Sequence, residues 1–116
     1  MIEKFSVGID ISDIKKFKKK PFNSNENFYK KIFSKKETQY CLKFKNEYEK
    51  FAGKFALKEA LIKSINEKIP FSQIETDHLN SKPTVKLLKS KKKYRFIASL
   101  SHENDSAIAI VISEEI

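Results

Sequence analysis

A single cysteine, Cys41, is all the thiol chemistry in this chain, so it forms no internal disulfide and no all-cysteine metal site. Histidine is scarce too: His78 and His102 cannot by themselves furnish a zinc site. No run of eighteen apolar residues occurs, which excludes a membrane-spanning helix. The start, Met1-Ile2-Glu3-Lys4, lacks the apolar stretch of a signal peptide, and a cytoplasmic location is expected. Internal repeats and a glycine-rich phosphate loop are also missing. Acidic side chains are few, 15 against 24 basic ones, and the formal net charge is +9. A surplus of that size favours a polyanionic partner: nucleic acid, anionic lipid, a phosphorylated ligand or an acidic protein. At 116 residues the chain has room for one core, and one domain spanning residues 1–116 is expected.

Residues 2 to 11 alternate, with Phe5, Val7, Ile9 and Ile11 on one side and Lys4, Ser6, Gly8 and Asp10 on the other. That pattern predicts a half-buried strand delivering Asp10 near its end. Gly8 would let a backbone or a ligand approach closely. Ser12 or Asp13 can cap a short helix carrying Ile14 and Phe17, which Pro21 ends. Its other face holds Lys15, Lys16, Lys18, Lys19 and Lys20, a solvated basic surface in the plainest reading. Ser34 and Glu37 have capping-box spacing ahead of a helix with Tyr40, Cys41 and Phe44. Cys41 reads as a small buried hydrophobe there.

The stretch Phe51 to Lys63 has helical residue types apart from Gly53. Its apolar side chains form no single stripe, and a helix apolar nearly all round is usually buried. Yet Glu59 and Lys63 stand four apart on one flank, and Lys54 and Lys58 four apart on another. An ion pair at the edge of a core helix would explain Glu59 and Lys63. Beyond Pro70, Ser72 to Thr76 and Thr84 to Leu87 are expected as short strands around the turn cluster Asn80-Ser81-Lys82-Pro83. Phe96 to Ser101 and Ala107 to Ile112 flank a polar turn at His102 to Asp105, the pattern of a hairpin. The continuous apolar run around Ile110 suggests a strand covered on both faces.

Taken in order, Gly8-Ile9-Asp10-Ile11, Phe33-Ser34-x-x-Glu37-x-x-Tyr40-Cys41, Phe55-Ala56-x-Lys58-Glu59-Ala60-x-x-Lys63, Lys82-Pro83 and Ser99-x-Ser101-His102 match one pattern. It resembles the 4′-phosphopantetheinyl transferases, in particular the small holo-acyl-carrier-protein synthases, over nearly the whole chain. Two departures stand out. Ser81 replaces the usual glycine before Lys82-Pro83, and Lys89 to Lys93 replaces a fuller helix.

The resemblance implies an α+β fold in which an antiparallel sheet packs with a long central helix and shorter helices. It implies an enzyme that moves 4′-phosphopantetheine from coenzyme A to a serine of an apo acyl carrier protein, releasing 3′,5′-ADP, in support of fatty acid and lipid biosynthesis. Asp10 and Glu59 would be the magnesium (or manganese) ligands, and a hard ion of that kind does bind through one or two carboxylates plus substrate phosphates. Lys63 would stabilise charge on the pyrophosphate. The serine proton goes to Glu59 or to a water that Glu59 holds, and the sequence leaves both open. Lys54, Lys58, Lys82, Pro83, Ser101 and His102 would be further coenzyme A contacts. Lys54 stands where the family more often has arginine and so lacks the bidentate fork. The first helix, around Lys16, would dock the acidic carrier protein. A homotrimer is implied, with Ala107 to Ile112 lining the central contact and Lys82 and His102 reaching into a neighbour's site. A rival of another class is a small basic nucleic-acid-binding protein, with ten Phe and four Tyr available for stacking.

Overall fold

In the computed structural model, which describes residues 2–116, the chain opens with β1 (Phe5–Asp13) and continues through α1 (Ile14–Lys18), α2 (Glu26–Ile32) and α3 (Lys35–Leu42). The long helix α4 (Glu47–Ser64) follows, then β2 (Ile74–Leu79), β3 (Lys82–Leu87), β4 (Tyr94–Glu103) and β5 (Ser106–Glu115). The architecture is α+β, as expected, but the antiparallel strands form two sheets, β1-β5-β4 and β2-β3.

The first strand begins later and runs further than expected, and its apolar side is the one turned away from the helix. Gly8 and Ser12 are buried against α4, while Phe5, Val7, Ile9 and Ile11 point outward and are 46–67% exposed. Close approach decides this: any Cβ at Gly8 would collide with the Ala60 carbonyl of α4. The central strand β5 sorts its side chains by the same logic. Ala107, Ala109 and Val111 are fully buried under the helix, and Ile108, Ile110 and Ile112 lie on the outer face beside Ile11, Ile9 and Val7. Small residues facing Ala56 and Ala60 let the helix lie close to the sheet.

Helix α4 is buried on most of its circumference, as its apolar distribution predicts. One end packs Phe51 among Phe17, Tyr29 and Phe33, and the other packs Leu57 and Leu61 with Ile65 and Ile74. The capping box forms as expected: Ser34 Oγ accepts from the Glu37 N–H, and Glu37 accepts from the Ser34 N–H. Cys41 is fully buried, and burial pushes its thiol up to about 12, as befits a packing residue.

The strand expected at Ser72 to Thr76 starts instead at Ile74, after a 3-10 turn at Phe71–Gln73. Strands β2 and β3 join through Asn80 and Ser81 alone, with φ of 52° and 66°. Two left-handed residues make the tight hairpin whose twist matches its strands. A side chain in that region is strained by roughly 1 kcal/mol. Ser81→Gly should therefore raise stability by about 1 kcal/mol, seen as a higher urea midpoint at unchanged slope. An unchanged midpoint would show that Ser81 carries no strain.

Candidate active site

Asp10 lies on the helix-facing side of β1, two residues from Gly8 and two from Ser12. Its side chain is 13% exposed. Lys63, at the end of α4, donates to Asp10 Oδ1 at 3.2 Å and to the Ile9 carbonyl at 3.1 Å. Ser12 Oγ donates to Asp10 Oδ2 at 2.8 Å. Glu59 stands one helical turn before Lys63 on the same flank and is half-buried. Lys63 therefore pairs across elements with Asp10, and the expected Glu59–Lys63 ion pair does not form. A carboxylate and a half-exposed ammonium thus pair where β1 crosses the last turns of α4, with Glu59 one turn away.

His102 is elsewhere. It sits on the inner face of β4, with Nδ1 3.5 Å from Glu49 Oε1, and a Cβ at Gly53 would meet its ring. Glu49 and Glu59 are about 15 Å apart along the helix, at 1.5 Å per residue. Ser101 faces the opposite, outer side and is exposed. Lys82 and Pro83 begin β3 at the far hairpin, beside a groove of about 570 Å³ shared with Leu79, Phe96, Ile97 and Ala98. Within one chain, then, Asp10 and Lys63 meet one helical turn from Glu59, and Lys82, Pro83, Ser101 and His102 make no contact with that pair.

Lys54 and Lys58 turn inward, and the surroundings of Lys58 leave it nothing for the expected coenzyme A contact. Lys58 is fully buried, and its three hydrogens go to Glu37 Oε1 at 2.7 Å, the Ile32 carbonyl at 2.7 Å and the Phe71 carbonyl at 3.3 Å. Nothing of this ammonium is left for a phosphate. Glu37 in turn takes four donors, from Lys58, the Ser34 N–H and the Thr76 N–H and hydroxyl. Burial pushes the Glu37 carboxyl up, but Lys58 and the hydrogen bonds outweigh it and hold it below the usual range. Lys54 donates to the carbonyl and hydroxyl of Thr76 and lies 4.7 Å from the Tyr40 ring centroid. Burial lowers its pKa. A buried ammonium takes the acceptors that fold beside it, because stranding it is costly.

Sequence reasoning passed over Ser12 as a partner of Asp10, Glu37 as a counter-ion, and Glu49. A signal for the first was present, since strand alternation puts residues 10 and 12 on one side. Asp13, not Ser12, caps α1 by accepting from the Lys15 N–H at 2.9 Å. His78 is half-buried and stacked on Tyr40, with ring centroids 4.9 Å apart.

The donor set suits a hard ion. Among the described residues no group of three or more His, Cys, Asp or Glu forms a closed metal cage. Two carboxylates at an open edge are what magnesium uses when phosphates and waters complete its shell. The stacking surface a nucleic-acid binder needs is lacking, since of the ten Phe and four Tyr only Phe5 and Phe44 are exposed. No helix is long and apolar enough to cross a membrane.

The model of the 4′-phosphopantetheinyl transferase superfamily matches residues 6–111. The chain belongs to this superfamily. It is similar to the holo-[acyl-carrier-protein] synthase of Clostridium kluyveri, 40% identical over 95% of this chain and 90% of that protein. The synthase of Chlamydia trachomatis serovar L2 is 35% identical over 95% and 99% of the two chains. Among solved structures, the Helicobacter pylori holo-[acyl-carrier-protein] synthase in complex with coenzyme A superposes with a TM-score of 0.78. It is 30% identical and covers 93% of this chain and 99% of its own.

Proposed function

We propose that this chain is a magnesium-dependent holo-[acyl-carrier-protein] synthase, moving 4′-phosphopantetheine from coenzyme A to a serine of an apo acyl carrier protein. The observation that carries the reading is the pairing of Asp10 with Lys63, one helical turn from Glu59, in a chain of this superfamily. Asp10 and Glu59 would hold the metal, which when bound would neutralise pyrophosphate charge. Lys63, half-exposed on a flexible stem, would stabilise the charge that builds as the phosphate bond breaks. Glu59 also stands where it would accept the serine proton, directly or through a water.

Helix α1 leaves β1 three residues after Asp10, so a protein docked on α1 has its serine near the carboxylates. Lys15, Lys16, Lys18, Lys19 and Lys20 are all exposed there. Lys16 packs over the Phe55 ring, 4.4 Å from its centroid, and so presents its charge in a fixed place. Reversing Lys16 and Lys19 to Glu should slow carrier association and flatten its salt dependence. Unchanged kinetics across ionic strength would move the docking surface elsewhere.

The apolar outer face of β1-β5-β4 supports a homotrimer. Phe5, Val7, Ile9, Ile11, Ile97 and Ile110 are all exposed on it. A contiguous patch of this kind on a soluble domain marks an interaction surface.

The test incubates the protein with coenzyme A, magnesium and apo carrier protein, and follows the phosphopantetheine addition by mass spectrometry. Addition is expected with the native chain. Asp10→Ala and Glu59→Ala should each abolish it while keeping the native circular dichroism spectrum. Full activity of either variant in excess chelator would remove the metal assignment.

A further inference from the structure

The two oxygens of Asp10 have different partners, and the difference has a chemical use. Oδ2 accepts from Ser12 Oγ at 2.8 Å, a short bond made by a side chain that is itself buried. Oδ1 is paired with Lys63 at 3.2 Å, and that lysine is half-exposed, its other protein acceptor being the Ile9 carbonyl at 3.1 Å. We propose that Ser12 is a positioning residue that fixes Asp10 through Oδ2, and that Lys63 is a displaceable counter-ion on Oδ1, the oxygen offered to the cation. The inference rests on the reading of Asp10 as a metal ligand.

The physics favours this division. A carboxylate on a strand rotates about two side-chain bonds, and a hydroxyl fixed two residues away on the same face holds one orientation. The hydroxyl bond is neutral and leaves the carboxylate charge in place. Lys63, by contrast, cancels that charge while it stays. A cation arriving alone must displace an ammonium from Oδ1. A cation arriving with a pyrophosphate brings the anion that Lys63 prefers, so displacement is easier. The chain should therefore bind metal weakly without coenzyme A and more tightly with it. Partners that orient a metal ligand typically matter by about 10- to 100-fold in affinity.

The experiment measures Mn²⁺ affinity by electron paramagnetic resonance, with and without coenzyme A, alongside the melting temperature of each variant. Ser12→Ala should weaken Mn²⁺ binding about 10- to 100-fold with coenzyme A present, while melting near the native temperature. Ser12→Thr, which keeps the hydroxyl, should bind within a few-fold of the native chain. In an Asp10→Ala background Ser12→Ala should add nothing, because the bond it removes is already gone. Lys63→Met should tighten Mn²⁺ binding without coenzyme A and shrink the gain that coenzyme A brings. Native Mn²⁺ affinity in Ser12→Ala, with binding lost in Asp10→Ala, would overturn the role of Ser12 and leave the metal site standing. Unchanged coenzyme-free affinity in Lys63→Met would overturn the counter-ion. Native affinity in both Asp10→Ala and Glu59→Ala would remove the metal reading and this inference with it.

Discussion

Replacing Lys58 by Met should cost the fold about 3–5 kcal/mol, because it leaves the buried Glu37 carboxylate without its counter-charge. A typical domain has only about 5–15 kcal/mol in hand, so the variant should unfold at much lower urea. The environment sets this magnitude. Both side chains are almost wholly removed from water, at 1% and 0% exposure, and every donor and acceptor between them is used. Glu37→Leu should also destabilise, by leaving the buried ammonium without its counter-charge. The double variant Glu37→Leu with Lys58→Met should lose about 1–3 kcal/mol less than the sum of the two singles. It should not return to native stability, since the Ser34 and Thr76 donors still lose their acceptor. Additive losses would mean that the two charges do not depend on each other.

The same pair sets a limit in acid. The folded carboxyl of Glu37 lies below its ordinary value, so its contribution is complete above the unfolded pKa, about 4.3. As pH falls through the depressed folded value the carboxylate takes a proton and that contribution disappears. Native stability should therefore drop between about pH 4 and the lower folded pKa, and Glu37→Gln should flatten that part of the profile.

How far the sequence could be read depended on the range of the interaction. Local signals were legible. The capping box at Ser34, the helix around Lys58-Glu59 and the hairpin after Ser101 each rest on neighbours within a few residues. Alternation located β1 but not its orientation, because a period of two identifies two faces without saying which one meets the helix. The deciding contact, Gly8 against Ala60, joins elements fifty residues apart. Lysine spacing on α4 was silent in the same way. Lys58 and Lys63 are one residue type on one helix. One closes a buried ring with Glu37 and the other reaches Asp10, and only the folded chain separates them. The motifs carried Asp10, Glu59 and Lys63 together, whereas Ser12 and Glu49 belong to no motif and emerged from hydrogen bonds.

Mixing Glu59→Ala chains with His102→Ala chains, each inactive or nearly so alone, should restore activity. The reason is distance. His102 lies by Gly53 and Glu49, about 9–15 Å along α4 from Glu59, so the two side chains do not meet within one chain. Coenzyme A extends far enough to touch residues of two chains, and the apolar face of β1-β5-β4 supplies a surface on which chains would meet. If each site takes Asp10, Glu59 and Lys63 from one subunit and Lys82 and His102 from the next, a ring of three has three such sites. In an equal, fully exchanged mixture about one site in four pairs two intact halves, so recovery should approach a quarter of native activity. Lys82 then becomes useful where it stands, on a far hairpin of its own chain beside Leu79 and Ile97. The mixture has to be shown to exchange, for which one variant carries a mass label and native mass spectrometry counts the mixed trimers. Activity that stays at the level of the single variants, in trimers proven to be mixed, would mean that each chain completes its own site.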